Sequence, residues 1–210
     1  MNQINVPQHA VVSHLLAQIR DERVLPHEFR VLTKELAAHL TYEAIREWPT
    51  ETFKVRTPLG VDADVERWAG PAPILIPILR AGLGMLEGAL RVLPEADVGV
   101  IGLRKDPVTF IPDLYCLAVP SDLTGRHAIV LDPMIATGNT ISAACSILQD
   151  RGCSRITALC LIAAPPGLAT LEERCPNVSV IAGSVDPVVD SRAFIVPGLG
   201  DAGDRLFGPP

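Results

Sequence analysis

At 210 residues, 48% hydrophobic and 20% charged, the chain is sized for one α/β domain, residues 1–210, with a sizeable core, and its composition excludes a disordered chain. A formal net charge of −6, with Lys34, Lys54 and Lys105 as the only lysines, offers no basic block for a run of phosphates. That argues against nucleic acid as a partner, while a small anion in a locally positive pocket stays open.

Cys116, Cys145, Cys153, Cys160 and Cys175 form no C-x-x-C pair, so neither a disulfide framework nor a zinc site is indicated and buried, reduced thiols are expected. The N-terminus, MNQINVPQHA, lacks a charged segment followed by an apolar one, and no stretch approaches about 18 uninterrupted apolar residues. A cytoplasmic protein with no membrane contact is expected.

Along the chain, Val11, Val12, Leu15, Leu16 and Ile19 recur at helical spacing, and Phe29, Leu32, Leu36, Leu40 and Ala44 do so again after Pro26; this predicts two amphipathic helices. Thr52 to Trp68, with a Pro58-Leu59-Gly60 turn, reads as an irregular hairpin. From Pro71 onward short apolar runs such as ILIPIL, VGVIGL, AIVLD and ITALCLIAA alternate with helix-like segments. Continuous Val/Ile/Leu runs of this kind predict a mainly parallel sheet with helices on both faces, a doubly wound α/β core. Right-handed crossovers then gather the functional loops at the strands' C-terminal ends. Arg104 to Ser121, with Pro107, Pro112 and Pro120, interrupts the alternation; this arm, about residues 104–121, suits a lid or an exposed surface hairpin equally.

The stretch HAIVLDPMIATGNTISAACSIL, His127 to Leu148, is a strand, a turn and a helix. Thr137, Gly138, Asn139 and Thr140 fall where a helix begins, with unpaired N–H groups and the positive end of the dipole, and Gly138 would let a phosphate approach closely. An ordinary N-cap by Thr137 or Asn139 fits the same window. Asp132 weighs against the plain cap. A carboxylate at the tip of a buried strand loses solvation unless ribose hydroxyls or a hydrated Mg²⁺ meet it there.

In ILIPILRAGLGMLEGAL, Arg80 ends another apolar run before Gly82 and Gly84. A dinucleotide fingerprint is incomplete, since Glu87 stands where the third glycine belongs. A guanidinium beside glycine-exposed amides suits a pyrophosphate, although a solvated arginine at a helix start fits too. FIVPGLGDAGDRLFG contains a literal G-x-G-x-x-G at Gly198, Gly200 and Gly203, with too little chain after it for a nucleotide-binding unit. Asp201, Asp204 and Arg205 among those glycines are costly to order without a purpose.

VLDPMIATGNT resembles the phosphoribosyl pyrophosphate (PRPP) motif of type I phosphoribosyltransferases, and PILRAGLGM and IVPGLGDAGDR resemble segments of the uracil phosphoribosyltransferases. The resemblance spans nearly the whole chain. It implies a single type I phosphoribosyltransferase-like domain with N-terminal helices and a C-terminal base-binding loop. The implied activity is pyrimidine salvage: uracil and PRPP give UMP and pyrophosphate, with Mg²⁺ carried mainly by PRPP rather than by protein ligands. The implied catalytic residues are Arg80, Asp132 and Asp201. The implied PRPP contacts are Arg80 and Lys105 on the pyrophosphate side, Asp132, Pro133, Met134, Ile135, Ala136, Thr137, Gly138, Asn139 and Thr140 around the ribose and 5′-phosphate, and Asp201. Uracil would be read by the main chain of Ile195, Gly200, Asp201 and Ala202. A homodimer or larger homo-oligomer is implied, and some relatives respond to GTP as an effector.

Five positions depart from the family pattern. Arg104-Lys105 replace Tyr-Arg, Asn139 stands for a glycine, Phe194 for a tyrosine, and Asp190 for an asparagine. These departures keep a second reading open, a PRPP- or nucleotide-binding regulatory paralogue with little turnover, and Gly82 and Gly84 keep a third, a dehydrogenase.

Overall fold

In the computed structural model, which describes residues 3–105 and 112–209, a short strand β1 (Ile4–Asn5) leads into α1 (Ala10–Ile19) and α2 (Pro26–Ala44). These are the two helices predicted from apolar spacing. Val12, Leu16 and Ile19 of α1 and Phe29, Leu36 and Leu40 of α2 are buried. Pro26 starts α2 where its missing N–H costs nothing, and Glu28 reaches back to accept from Leu25 N–H at 3.0 Å.

Strands β2 (Thr50–Arg56) and β3 (Asp62–Trp68) form a separate antiparallel pair. The hairpin is regular rather than irregular, running from Thr50 opposite Trp68 to Arg56 opposite Asp62 without a slip. Gly60 takes its turn at φ +76°. Cross-strand pairs Lys54–Asp64, Arg56–Asp62 and Arg67–Glu51 line its exposed faces, fixing register more than adding stability.

The core follows as β4 (Ile74–Leu79), α3 (Leu83–Val92), β5 (Asp97–Val98), β6 (Val100–Lys105), β7 (Pro112–Ala118), β8 (His127–Leu131) and β9 (Met134–Ile135). Then come α4 (Asn139–Gln149), β10 (Arg155–Ala163), α5 (Pro165–Arg174), β11 (Ser179–Val185), β12 (Val188–Val189), β13 (Ile195–Val196) and α6 (Ala202–Phe207). The main sheet runs β1-β11-β10-β8-β4-β6-β7. Its neighbours pair in parallel except β7, which lies antiparallel on β6 at the edge. The VGVIGL run divides at Gly99 into β5 and β6, both beside β4.

Both faces of the sheet are covered, as the continuous apolar runs require. Ile74, Ile76 and Ile78 of β4 face α4 and α5 with Val130 and Ala158. The alternate residue Leu75, with Ile129, Leu131 and Leu159, faces α1, α2, α3 and α6. Cys145, Cys153, Cys160 and Cys175 are buried and Cys116 is half-buried, and burial pushes the Cys145 and Cys160 thiols well above their usual range. Among the described residues no helix is long and apolar enough to cross a membrane.

Of the arm at 104–121, the described part is an exposed strand, β7, tied to β6 by an Arg104–Asp113 ion pair. Residues 106–111 and the side chain of Lys105 lie outside the described residues.

Candidate active site

Because β4, β6, β8 and β10 are parallel, their C-terminal ends share one edge of the sheet. Pro77 is opposite Leu131, and Leu79 opposite Gly102. The register therefore puts Arg80, Asp132 and the backbone of Lys105 along the same rim. Arg80 is exposed there, after a cis peptide at Leu79–Arg80.

The glycines after Arg80 serve packing rather than anion approach. A Cβ on Gly82 would lie 2.3 Å from Leu131 O and 2.6 Å from Ile78 N, and one on Gly84 would lie 2.7 Å from the Leu206 side chain. Their amides are engaged, Gly82 N–H donating to Ile78 O at 2.9 Å and Gly84 N–H to Ala81 O at 3.1 Å. The expectation of glycine-exposed amides at this turn is therefore corrected: the turn has to fold flat against β4 and β8, and its N–H groups close it.

On the next strand, Asp132 follows β8 and its N–H donates to Leu159 O at 3.2 Å. Pro133 O accepts from Leu161 N–H at 3.0 Å and from Ile162 N–H at 3.1 Å. Met134 and Ile135 then pair with Ile162 and Ala163 as β9, so the segment read as a plain turn is stitched to β10. The Asp132 carboxylate has no cation beside it among the described residues, only Met134 N–H at 3.5 Å. Burial pushes its pKa up to about 7, opposed weakly by that N–H. Part of the Asp132 residue nevertheless remains exposed.

Gly138 precedes α4 with φ +79°, and its Cβ would lie 2.3 Å from Gly167 O of α5. A glycine is therefore required by the left-handed backbone and by the close approach of α5. No side chain caps α4, so the reading of Thr137 or Asn139 as an N-cap is also corrected. The first helical bond runs from Ser142 N–H to Gly138 O at 3.0 Å, which leaves the N–H groups of residues 139–141 without helical acceptors.

The third segment is a loop anchored at both ends. Asp201 caps α6, accepting from Asp204 N–H at 2.9 Å. Arg205 donates to Ile19 O at 2.6 Å, Leu199 O at 2.9 Å and Asp21 O at 2.7 Å, and lies over the Phe29 ring. Asp190 accepts from the N–H groups of Arg192 and Phe194, both at 2.9 Å, turning Phe194 onto the site. Arg192 stacks on that ring at 5.3 Å.

Between this loop and the Asp132 segment lies a cleft of about 210 Å³. Met134 and Ala136 form one wall, residues 192–195 and 200–202 the other. The fold thus brings Met134, Ala136, Ile195, Gly200, Asp201 and Ala202 together. Arg80, Asp132 and Thr137 to Thr140 lie outside that lining, on the rim and at the helix start.

Arg20, Asp186 and Arg192 carried no sequence expectation. Asp186 could have been found by the logic applied to Asp132: SVDP repeats the pattern of LDP, a carboxylate and a proline at the end of a buried strand. Here, however, the carboxylate is paired. It accepts from Arg20 at 2.6 and 2.7 Å, Ser184 Oγ at 2.8 Å and Gly198 N–H at 2.8 Å. Burial alone would raise its pKa, but these donors together hold it below the usual carboxylate value.

A family model for uracil phosphoribosyltransferase matches residues 6–209. The chain belongs to the uracil phosphoribosyltransferase family. A uracil phosphoribosyltransferase of Symbiobacterium thermophilum is 46% identical over 208 residues, 99% of each chain. The solved structure of the AQ2163 protein from Aquifex aeolicus superposes with a TM-score of 0.93 at 34% identity over 98% of each chain. An adenine phosphoribosyltransferase from Thermoanaerobacter pseudethanolicus shares the fold, at TM-score 0.50 and 10% identity, over 72% of this chain and 80% of its own. The protein is accordingly an enzyme, a phosphoribosyltransferase of the glycosyltransferase kind with the type I α/β fold. The dehydrogenase reading of Gly82 and Gly84 falls with that membership.

Proposed function

We propose that the chain transfers the phosphoribosyl group of PRPP to uracil, giving UMP and pyrophosphate in pyrimidine salvage. The observation that carries this reading is Asp132. It is a carboxylate with no cation beside it among the described residues, two residues before Met134, which walls a cleft closed on its other side by the C-terminal loop, and it stands on the chain segment that leads into a helix start with unused N–H groups.

In this reading Asp132 accepts from the ribose hydroxyls, the N–H groups at residues 137–141 hold the 5′-phosphate, and Arg80 and Lys105 face the pyrophosphate. Asp201 contacts PRPP from across the cleft. Uracil presents acceptor, donor and acceptor along one edge, which main-chain groups at Ile195, Gly200, Asp201 and Ala202 match; cytosine would leave buried groups unpaired. The chain's part in the chemistry is positioning and charge stabilisation as the C1–pyrophosphate bond breaks and the bond to uracil N1 forms.

Among the described residues no cluster of three or more His, Cys, Asp or Glu could hold a metal. A lone buried carboxylate fits a Mg²⁺ that arrives with PRPP better than one held by protein ligands. When bound, the ion would neutralise charge on the departing pyrophosphate.

Incubating the protein with uracil, PRPP and Mg²⁺ should yield UMP and pyrophosphate in equal amounts. Nucleotide binding with no product over a range of pH would instead mark a regulatory paralogue. Binding should also release protons. Ribose hydroxyls donating to Asp132 favour its charged form, so a carboxyl titrating near pH 7 should shed its proton when PRPP binds at or just below that pH. Calorimetry in buffers of different ionisation enthalpy reads this directly; zero or inverse proton exchange at pH 6.5 would count against the assignment.

A further inference from the structure

Base recognition by main-chain atoms depends on whatever holds the loop, because no side chain can correct a misplaced peptide. In this chain the loop is held at one residue from both sides. Gly198 N–H donates to Asp186 Oδ2 at 2.8 Å, and Gly198 O accepts from Arg20 Nη1 at 2.8 Å. Arg20 and Asp186 are themselves joined by two hydrogen bonds, and Ser184 Oγ both donates to Asp186 at 2.8 Å and accepts from Arg20 Nη2 at 3.1 Å.

Asp186 is in turn fixed to the sheet, its N–H donating to Ala163 O at 2.9 Å, and is only 4% exposed. Gly198 is a residue where the backbone has no latitude: φ is +58°, and a Cβ would lie 2.1 Å from Ile195 O. Ile195 on one side of it and Gly200 on the other both line the cleft, whereas Arg20 and Asp186 do not. The contrast with Asp132 is informative. Both carboxylates end buried strands on the same sheet edge, but one has its acceptor capacity filled by protein and the other does not.

We propose that the Arg20–Asp186 pair is a positioning device that sets the orientation of the base-reading loop, and through it the preference for uracil over cytosine, without touching the base. The inference rests on the proposed transfer to uracil. A pair that acts on this loop should leave the Asp132 side of the PRPP site alone, because the Asp132 segment is bonded to β10 rather than to residues 198–200, and Asp201, the one PRPP contact on the loop, is held separately by its cap on Asp204 N–H.

The test compares wild type with Asp186→Asn, Arg20→Lys and the milder Ser184→Ala, varying uracil and PRPP separately, with cytosine as the competing base. Amide hydrogen exchange across residues 195–202 is followed in parallel. In Asp186→Asn the KM for uracil should rise about 10-fold or more, as for a loop displaced by a fraction of an ångström. Discrimination against cytosine should fall, exchange in the loop should quicken, and the KM for PRPP should rise much less than that for uracil, since only its Asp201 contact lies on the loop. Arg20→Lys keeps the charge but loses the fork that reaches both Asp186 and Gly198, so it should fall between Asp186→Asn and wild type. Should Asp186→Asn fail to fold, Ser184→Ala decides, with a smaller change in the same direction. An unchanged uracil KM in a folded variant, or equal losses for uracil and PRPP, would overturn the inference alone. A wild-type protein unable to transfer to uracil would overturn it together with the functional reading.

Discussion

Asp132→Asn is expected to give a folded protein, more heat-stable than wild type at pH 8, whose kcat/KM for PRPP is lower by about 100-fold or more. Gain and loss have the same origin. The carboxylate is buried without a cation among the described residues, and its pKa is raised from 3.8 to about 7. A carboxyl whose folded pKa lies above its unfolded one binds more protons folded than unfolded. Stability therefore falls as pH rises from about 4 to about 7, and the full cost persists above that. Asn has the same shape, keeps an oxygen for Met134 N–H and carries no charge, so it removes this cost. The stability difference should vanish near pH 4, grow through neutrality and level off at pH 8. The activity loss follows because an amide is a poorer acceptor for ribose hydroxyls than a carboxylate. Melting curves at three pH values with steady-state kinetics would check both halves; a variant destabilised at pH 8, or one with near wild-type turnover, would contradict the role given to Asp132.

The parts of this molecule that sequence reveals are those whose physics is local or averaged over a whole strand. ILIPIL and ITALCLIAA show themselves as strands because a parallel sheet covered on both faces needs apolar residues at consecutive positions, as Ile74, Leu75 and Ile76 illustrate. The α2 stripe is legible for the equivalent reason in a helix. Asp132 stands out because a charge at the end of such a run is anomalous wherever the strand lies. The two residues of β9 are invisible, since their pairing depends on where β10 passes. Gly82 and Gly138 were visible as glycines but not in purpose. What excludes a side chain at each is a carbonyl distant in sequence, Leu131 O and Gly167 O, and a spacing pattern cannot separate room for a ligand from room for a neighbouring strand or helix. Arg20 is the extreme case, an arginine closing a helix whose partner Asp186 lies 166 residues away.

The departures from the family pattern divide along the same line. Asp190 can replace an asparagine because its work is to accept two backbone N–H groups, from Arg192 and Phe194, which a carboxylate does at least as well. Phe194 keeps the ring that lines the cleft and lies under Arg192, losing only a hydroxyl. Asn139 opens α4 without capping it, so a side chain there does not disturb the helix start.

The largest loss of stability is expected from Gly138→Ala, about 2–4 kcal/mol, with transfer reduced about 100-fold. Two costs combine. At φ +79° any L side chain is strained, by about 1 kcal/mol. The added Cβ also meets Gly167 O at 2.3 Å, and α5 is held there in part by Ala164 N–H bonding to Ile135 O at 2.9 Å, so relief requires α4 to move away from α5 or the loop to lift from β10. Either motion displaces the N–H groups of residues 139–141 from Asp132. Gly60→Ala separates the two costs. Its φ of +76° imposes the same backbone strain, but its Cβ would meet only Arg56 Nη2 at 3.9 Å, so it should lose only about 1 kcal/mol and keep full activity. Gly167→Ala approaches the same contact from the other side, at 2.7 Å from the carbonyls of Ile135 and Ala136, without any left-handed backbone. It should therefore reproduce the packing share of the loss and the fall in transfer rate. Urea denaturation of the three variants, with kinetics under saturating uracil, tests the partition. If Gly138→Ala proved no worse than Gly60→Ala, the close approach of α5 would not be what holds the helix start in place.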